Sequence, residues 1–306
     1  MPKKLHKTRK KFLKRPYLLI LLFLIFAVYY LTAEKEWYVT KDGILQYPTD
    51  RGKVDFTQAI IETGDDYVLK KVVYKSRDVE IYALLRLPKA AGKVPAVVIA
   101  PGAEVLKEHR QNFAEKLVKM GYASIVLDQR TFGETGGTVP TIREDIESFK
   151  NKKEPVQHRF IYDVLRAGDV LRAQPEIDPK RIAFIGESMG GRFAIIAGAI
   201  DKEIKGVIAI STGGYGFNDA ALWNYEKDEV TFLKSIDPDN YVDMIPPRKF
   251  VMFHFTDDRV VPFRSGEATF KSAKEPKKMY TLNGTIHGYS SELDPDIERE
   301  LEEMFK

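Results

Sequence analysis

The sequence predicts an α/β protein with a mostly parallel but mixed central sheet flanked by helices, and three observations carry that expectation. Short, continuously apolar runs such as VPAVVIAPG (94–102) alternate with longer stretches whose apolar residues recur every three or four positions, the pattern of doubly buried parallel strands joined by crossover helices. Two alternating runs, YVLKKVVYKS and VEIYALLRLP, come first and are separated only by Arg77-Asp78, which predicts an antiparallel pair and makes the sheet mixed. The 306 residues are 44% hydrophobic and 30% charged, ordinary globular proportions with ample material for a large core.

The elements follow in order. Strands are expected over 67–76, 79–88 and 94–102. FAEKLVKMG then spaces Phe113, Leu117 and Met120 as a helix and stops at Gly121, a usual helix terminator. ASIVLD (123–128) reads as a buried strand, and residues 159–173 set Ile161, Val164, Leu165, Gly168 and Leu171 along one helical face. Further strands are expected at 181–186, 206–211, 249–255 and 277–283, and a last helix near 296–305 turns Ile297, Leu301 and Met304 inward. Two interruptions are long, 138–158 and 212–247. The second holds Tyr215, Phe217, Trp223, Tyr225 and Phe232, which suggests a lid or binding wall over 212–247, with a helix packed on the sheet as the alternative.

The N-terminus has a different character. The first 15 residues contain eight Lys or Arg and no acid, and Tyr17–Leu31 is an uninterrupted apolar run. This layout predicts a basic cytoplasmic tail (1–15), a transmembrane signal anchor (16–32) and a juxtamembrane linker (33–65), placing the domain at 66–306 on the extracytoplasmic side of a cell membrane. A secretory signal cleaved after Leu31-Thr32-Ala33 gives the same side and is the alternative. Without its tail the chain has 40 basic against 44 acidic residues, so no nucleic-acid partner is expected. The absence of cysteine excludes disulfides, thiolate metal sites and a cysteine nucleophile.

The chemistry is expected at IGESMGG (185–191), a G-x-S-x-G between an apolar strand and the apolar helix RFAIIAGAI. A sharp strand-to-helix turn there pushes Ser188 out at the strand's carboxyl end, where the new helix points N–H groups at developing negative charge. A serine needs a base, and the chain offers His6, His109, His158, His254 and His287. His287 lies in the Gly-flanked loop LNGTIHGYS after the last strand and is the best placed. His254 lies in or ends a strand and reads as a packed residue, while His109 stays open because it falls near the presumed site. Asp257 and Asp258, in HFTDDRVVP, are the candidates for the carboxylate that orients the imidazole.

Together these segments resemble the α/β-hydrolases of the dienelactone hydrolase, acyl-peptidase and acetyl-esterase type over residues 66–306. DPKRIAFIGESMGG is similar to that family's D-P-x-R-I-x-x-x-G-x-S-M-G-G, DQRTFGETGG to its D-x-R-G-x-G-x-S-x-G loop, VVIAPG to its strand and oxyanion turn, and HFTDDRVVP to H-G-x-x-D-x-x-V-P. The last match puts the acid on Asp258, giving the order Ser188, Asp258, His287. The chain departs from the pattern at Pro101, where His is frequent, at Phe255, where Gly is frequent, and at Thr131-Phe132. Cysteine is the nucleophile of dienelactone hydrolases themselves, so their substrate does not carry over. The resemblance implies a serine hydrolase acting through an acyl-enzyme on a small-molecule acyl ester, without metal or organic cofactor, with Met189 and Ala103 (or Glu104) N–H groups as the oxyanion hole. An acyl-aminopeptidase, an acyltransferase and an inactive binding module on the same fold stay open as alternatives.

Overall fold

The computed structural model describes residues 19–21, 23, 36–217 and 219–306. The chain divides into two units, 1–36 and Trp37–Lys306. In the first, residues 19–21 and 23 are helical. The membrane-anchored, extracytoplasmic placement expected from the sequence is corrected: no helix among the described residues is long and apolar enough to cross a membrane. Most of the expected anchor at 16–32 and the whole basic tail lie outside the described residues. The physical weakness of that expectation is length, since fifteen apolar residues at 1.5 Å each reach about 22 Å of a hydrocarbon core roughly 30 Å thick.

The second unit is built on a nine-stranded sheet preceded by a small hairpin, β1 (Tyr38–Val39) with β2 (Leu45–Gln46). The sheet strands are β3 (Phe56–Thr63), β4 (Tyr67–Ser76), β5 (Val79–Pro88), β6 (Val94–Ala100), β7 (Ala123–Leu127), β8 (Ile177–Glu187), β9 (Gly206–Ile210), β10 (Lys249–Phe255) and β11 (Lys277–Leu282). Their spatial order is β11-β10-β9-β8-β6-β7-β5-β4-β3. From β7 to β11 the pairs are parallel, and β3, β4 and β5 join antiparallel, with β5 also antiparallel to β7. The expected hairpin is present, with Ser76 opposite Val79 and Arg77 at φ +57° in the turn.

The continuous apolar runs are explained by burial on both faces. In β6, Ala96, Val98 and Ala100 enter one core while Val97 and Ile99 enter the other; in β8, Ile182 and Phe184 face the first and Ala183 and Ile185 the second. The first core is closed by α3 (Val156–Arg172) and α4 (Ser188–Ile200), which contribute residues such as Phe160 and Phe193; the second by α1 (Gln111–Lys119) and α8 (Asp294–Phe305), through Phe113, Leu117, Ile297 and Leu301. Alternate side chains of a strand leave on opposite faces, so a two-sided core requires apolar residues at every position.

Two regions differ from the sequence expectation. The segment read as a linker is structured from residue 37: Leu45, Tyr47 and Val54 are buried in the first core, and β3 pairs with β4. Its strand was not legible because nearly every residue of FTQAIIET is exposed, so cross-strand pairing rather than a buried face specifies it. The long interruptions carry α2 (Ile142–Lys150), α5 (Asp219–Leu222) and α6 (Lys227–Ser235), which pack together through Ile146, Leu222, Phe232, Leu233 and Ile236. Phe232 is therefore core, whereas Trp223 stays 78% exposed. The remaining helix, α7 (Phe263–Ser272), follows β10.

Candidate active site

Ser188 is the first residue of α4, directly after β8, and has φ +51°. A non-glycine residue in the left-handed region is strained, and such strain persists only where the surroundings impose it. Here they do. A Cβ on Gly190 would fall 2.2 Å from the carbonyl oxygens of both Ala100 and Pro101, and one on Gly186 would fall 2.3 Å from the Gly190 oxygen. The turn is therefore packed backbone against backbone. The Thr212 hydroxyl adds a bond to the Ser188 carbonyl at 2.6 Å, fixing the loop after β9 to the turn.

Beside it runs the turn after β6. Gly102 lies beside Ser188, where an added Cβ would make ordinary contact with the serine Cβ at 3.4 Å. Val105 N–H donates to the Gly102 carbonyl at 3.3 Å and Glu104 has φ +60°, so residues 102–105 close a β-turn with Ala103 at its second position. Neither Ala103 N–H nor Met189 N–H has an acceptor among the described residues; for Met189 this follows from its place in the first turn of a helix.

The candidate base and acid meet. His287 Nδ1 lies 2.8 Å from Asp258 Oδ2. The other oxygen, Oδ1, accepts Val260 N–H at 2.8 Å and Val261 N–H at 3.0 Å, and the side chain is fully buried. An acid held by two backbone donors presents its second oxygen in a fixed direction, which selects the imidazole tautomer with its proton on Nδ1. Asp257 is exposed, and among the described residues its carboxylate accepts the Thr256 hydroxyl alone, at 2.9 Å. His254 is buried, with Nε2 2.9 Å from the Val261 carbonyl and 3.7 Å from Asp258, and burial lowers its pKa despite that carboxylate. His109 is exposed on the turn before α1, its Nδ1 accepting Leu106 N–H at 3.3 Å.

Sequence reasoning missed several residues that hold this arrangement. Glu187 reaches from the serine turn to both neighbouring loops. Gln129 donates through Nε2 to the Pro101 carbonyl behind the turn after β6. The one available signal was the type of residue: an acid between Gly186 and Ser188, at a position that must be buried, calls for a partner.

A mostly parallel sheet in which β3 and β5 run against the other strands, a serine on the turn after β8, and a paired Asp and His beyond β10 and β11 together define the α/β-hydrolases. The acetyl xylan esterase (AXE1) family model matches residues 52–238, more than half of the chain, and the chain belongs to that family. It is 33% identical over 198 residues to the putative hydrolase YtaP of Bacillus subtilis (strain 168), covering 61% of this chain and 62% of that one. It is 30% identical over 154 residues to the quorum-quenching protein AidA of Acinetobacter baumannii (strain MDR-ZJ06), covering 50% and 47%. The chain thus spans about half the length of most of these curated relatives, 49% for protein YfhR of Escherichia coli (strain K12). Among solved structures, an acetyl xylan esterase from Paenibacillus sp. R4 superimposes with a TM-score of 0.70 at 19% identity, covering 83% of this chain and 90% of that one. A glucuronoyl esterase from Solibacter usitatus does so with 0.63 at 16%, covering 92% and 91%. Those two likenesses concern the fold.

Proposed function

We propose that the protein is a serine hydrolase of carboxylic esters, with Ser188 as nucleophile, His287 as base and Asp258 as the acid that orients it. The observation that carries this reading is the 2.8 Å contact between His287 Nδ1 and the buried Asp258, on the same edge of the sheet as a serine held at positive φ. In the proposed cycle His287 Nε2 takes the hydroxyl proton as Ser188 Oγ bonds to the ester carbonyl carbon. The tetrahedral oxyanion accepts from Met189 and Ala103 N–H. Its collapse breaks the bond to the alcohol, which leaves with the proton from His287. Water, giving a proton to the same imidazole, then attacks the acyl carbon, and the bond to Ser188 Oγ breaks as His287 returns that proton to the serine oxygen, releasing the carboxylic acid.

The substrate class we propose is a short acyl ester of a carbohydrate alcohol, supported by membership of a family described as acetyl xylan esterases. The exposed Trp223 and Tyr225 in the 212–247 segment support its reading as a wall for such a ligand, because sugars and acyl chains both pack on aromatic rings. The test is labelling with a fluorophosphonate, followed by turnover of p-nitrophenyl acetate, butyrate and octanoate and release of acetate from acetylated xylan. Wild type should label and Ser188→Ala should not, with acetate preferred among the chain lengths. A folded wild-type protein that neither labels nor turns over any of these esters would sink the proposal.

A further inference from the structure

Glu187, between Gly186 and Ser188, is 4% exposed, yet its carboxylate has four donors. Oε1 accepts Arg110 Nε at 2.5 Å and Gly102 N–H at 3.4 Å; Oε2 accepts Arg110 Nη2 at 3.0 Å and Tyr289 N–H at 3.0 Å. Gly288 presses against it so closely that a Cβ there would lie 2.7 Å from Oε2. One buried side chain therefore bonds the turn preceding Ala103 and the loop carrying His287, while its own backbone leads into Ser188.

We infer that Glu187, charge-matched by Arg110, is the positioning residue that sets the register of Ser188, His287 and the Ala103 N–H; the inference rests on the triad reading above. An ionised carboxylate only accepts, and all four partners only donate, so the match is specific to the acid. An amide in its place would turn an NH₂ toward at least one N–H and release that loop. The charge is tolerated in a buried position because Arg110 binds it through two nitrogens. The loop after β11 has another anchor, the Tyr289 ring stacked 4.1 Å from Phe113 with its hydroxyl on Asp294 at 2.6 Å. Loss of the Glu187 bonds should therefore shift His287 without unfolding the loop.

The experiment measures wild type, Glu187→Gln, Glu187→Asp, Arg110→Met/Glu187→Gln and Ser188→Ala on p-nitrophenyl acetate. Competent sites are counted by the fluorophosphonate-labelled fraction after exhaustive reaction, and folding is followed by urea titration. A misplacement of about 1 Å costs on the order of 100-fold in rate. Glu187→Gln should accordingly lose about 30- to 300-fold in kcat per labelled site, with KM within about threefold. Glu187→Asp, keeping the charge at shorter reach, should recover part of the loss. The double variant should be no slower than Glu187→Gln alone, since Arg110 joins the site through that carboxylate and its bond from Nη1 to the His109 carbonyl, at 3.0 Å, stays within its own turn. A kcat per labelled site within about threefold of wild type in Glu187→Gln would overturn the inference, as would a loss explained wholly by fewer labelled sites. Retained turnover in Ser188→Ala would instead overturn the triad reading beneath it.

Discussion

Ser188 holds its positive φ because neighbouring backbone leaves it no other path, and that constraint makes the glycines around it irreplaceable. Gly190→Ala places a methyl 2.2 Å from two carbonyl oxygens; we expect it to cost at least about 3 kcal/mol in urea unfolding and to abolish labelling of Ser188. The two aspartates separate by the same kind of reasoning. Asp258 is buried against His287 and two backbone donors, whereas Asp257 is exposed. Under the proposed mechanism Asp258→Asn should lower kcat about 10³- to 10⁴-fold by stabilising the wrong tautomer. Asp257→Asn should stay within about twofold, and His287→Ala should fall as far as Asp258→Asn. Equal losses in the two aspartate variants would refute the assignment. The serine and its glycines were legible because a strained turn restricts residue type at fixed spacing. Glu187 was not, because its partners Gly102, Arg110 and Tyr289 lie about 80 to 100 positions away in sequence and nothing local marks their meeting.

The loop after β7 shows how an element can be positioned by charge. Asp128, buried at its start, accepts Lys107 Nζ at 2.7 Å and the Lys107 and Glu134 N–H groups at 2.8 and 3.0 Å. Lys107 is itself buried and also meets Glu108 and Glu134 at 2.8 Å. Next in sequence, Gln129 bonds the Pro101 carbonyl and Arg130 grips Asp163 through two 2.8 Å bonds. The loop thus ties the turn after β6 to α3. Lys107→Met leaves the Asp128 charge without its cation, and we expect a loss of about 3–5 kcal/mol in urea unfolding. Lys107→Arg should restore part of it, and a loss below about 1 kcal/mol in Lys107→Met would show the carboxylate to be satisfied by backbone donors alone. Elements whose burial follows a period were readable from sequence: β6 and β8 by continuous apolar runs, α3 and α8 by one apolar face. The exceptions have no such face. In α7 only Gly266 and Thr269 are buried, and β3 is almost wholly exposed, so tertiary pairing decides both and no local pattern announces them.

At the scale of the whole molecule, His158 joins the inserted helices to the main core and makes stability depend on pH. It sits fully buried on α3, its ring 5.6 Å from both Trp37 and Phe232 and 6.1 Å from Phe149. Ser235 commits its hydroxyl proton to the Phe232 carbonyl at 2.6 Å, so the 2.6 Å contact between Ser235 Oγ and His158 Nε2 has the imidazole donating. Nδ1 is then the unprotonated nitrogen, and it has no partner among the described residues. Protonating it would put a charge among aromatic rings with no acceptor, and burial accordingly pushes the pKa down to about 3 from the ordinary 6.5. A folded-state pKa below the unfolded one means that the unfolded chain binds the extra proton. The contribution is therefore intact above pH 6.5, shrinks as the pH falls from 6.5, and is exhausted once it has passed 3. At about pH 5 the protein should have lost about 2 kcal/mol through this residue relative to about pH 7.5. His158→Phe fills the same aromatic space, leaves Ser235 its bond to Phe232, and cannot titrate. Urea unfolding of both proteins at the two pH values isolates the effect, because every other titrating group is shared. The variant should be less stable than wild type at the higher pH, having lost one buried hydrogen bond, and its decline toward the lower pH should be smaller by about 2 kcal/mol. Parallel declines in the two proteins would mean that the imidazole finds an acceptor or water when protonated, and that the aromatic enclosure is open on the time scale of unfolding.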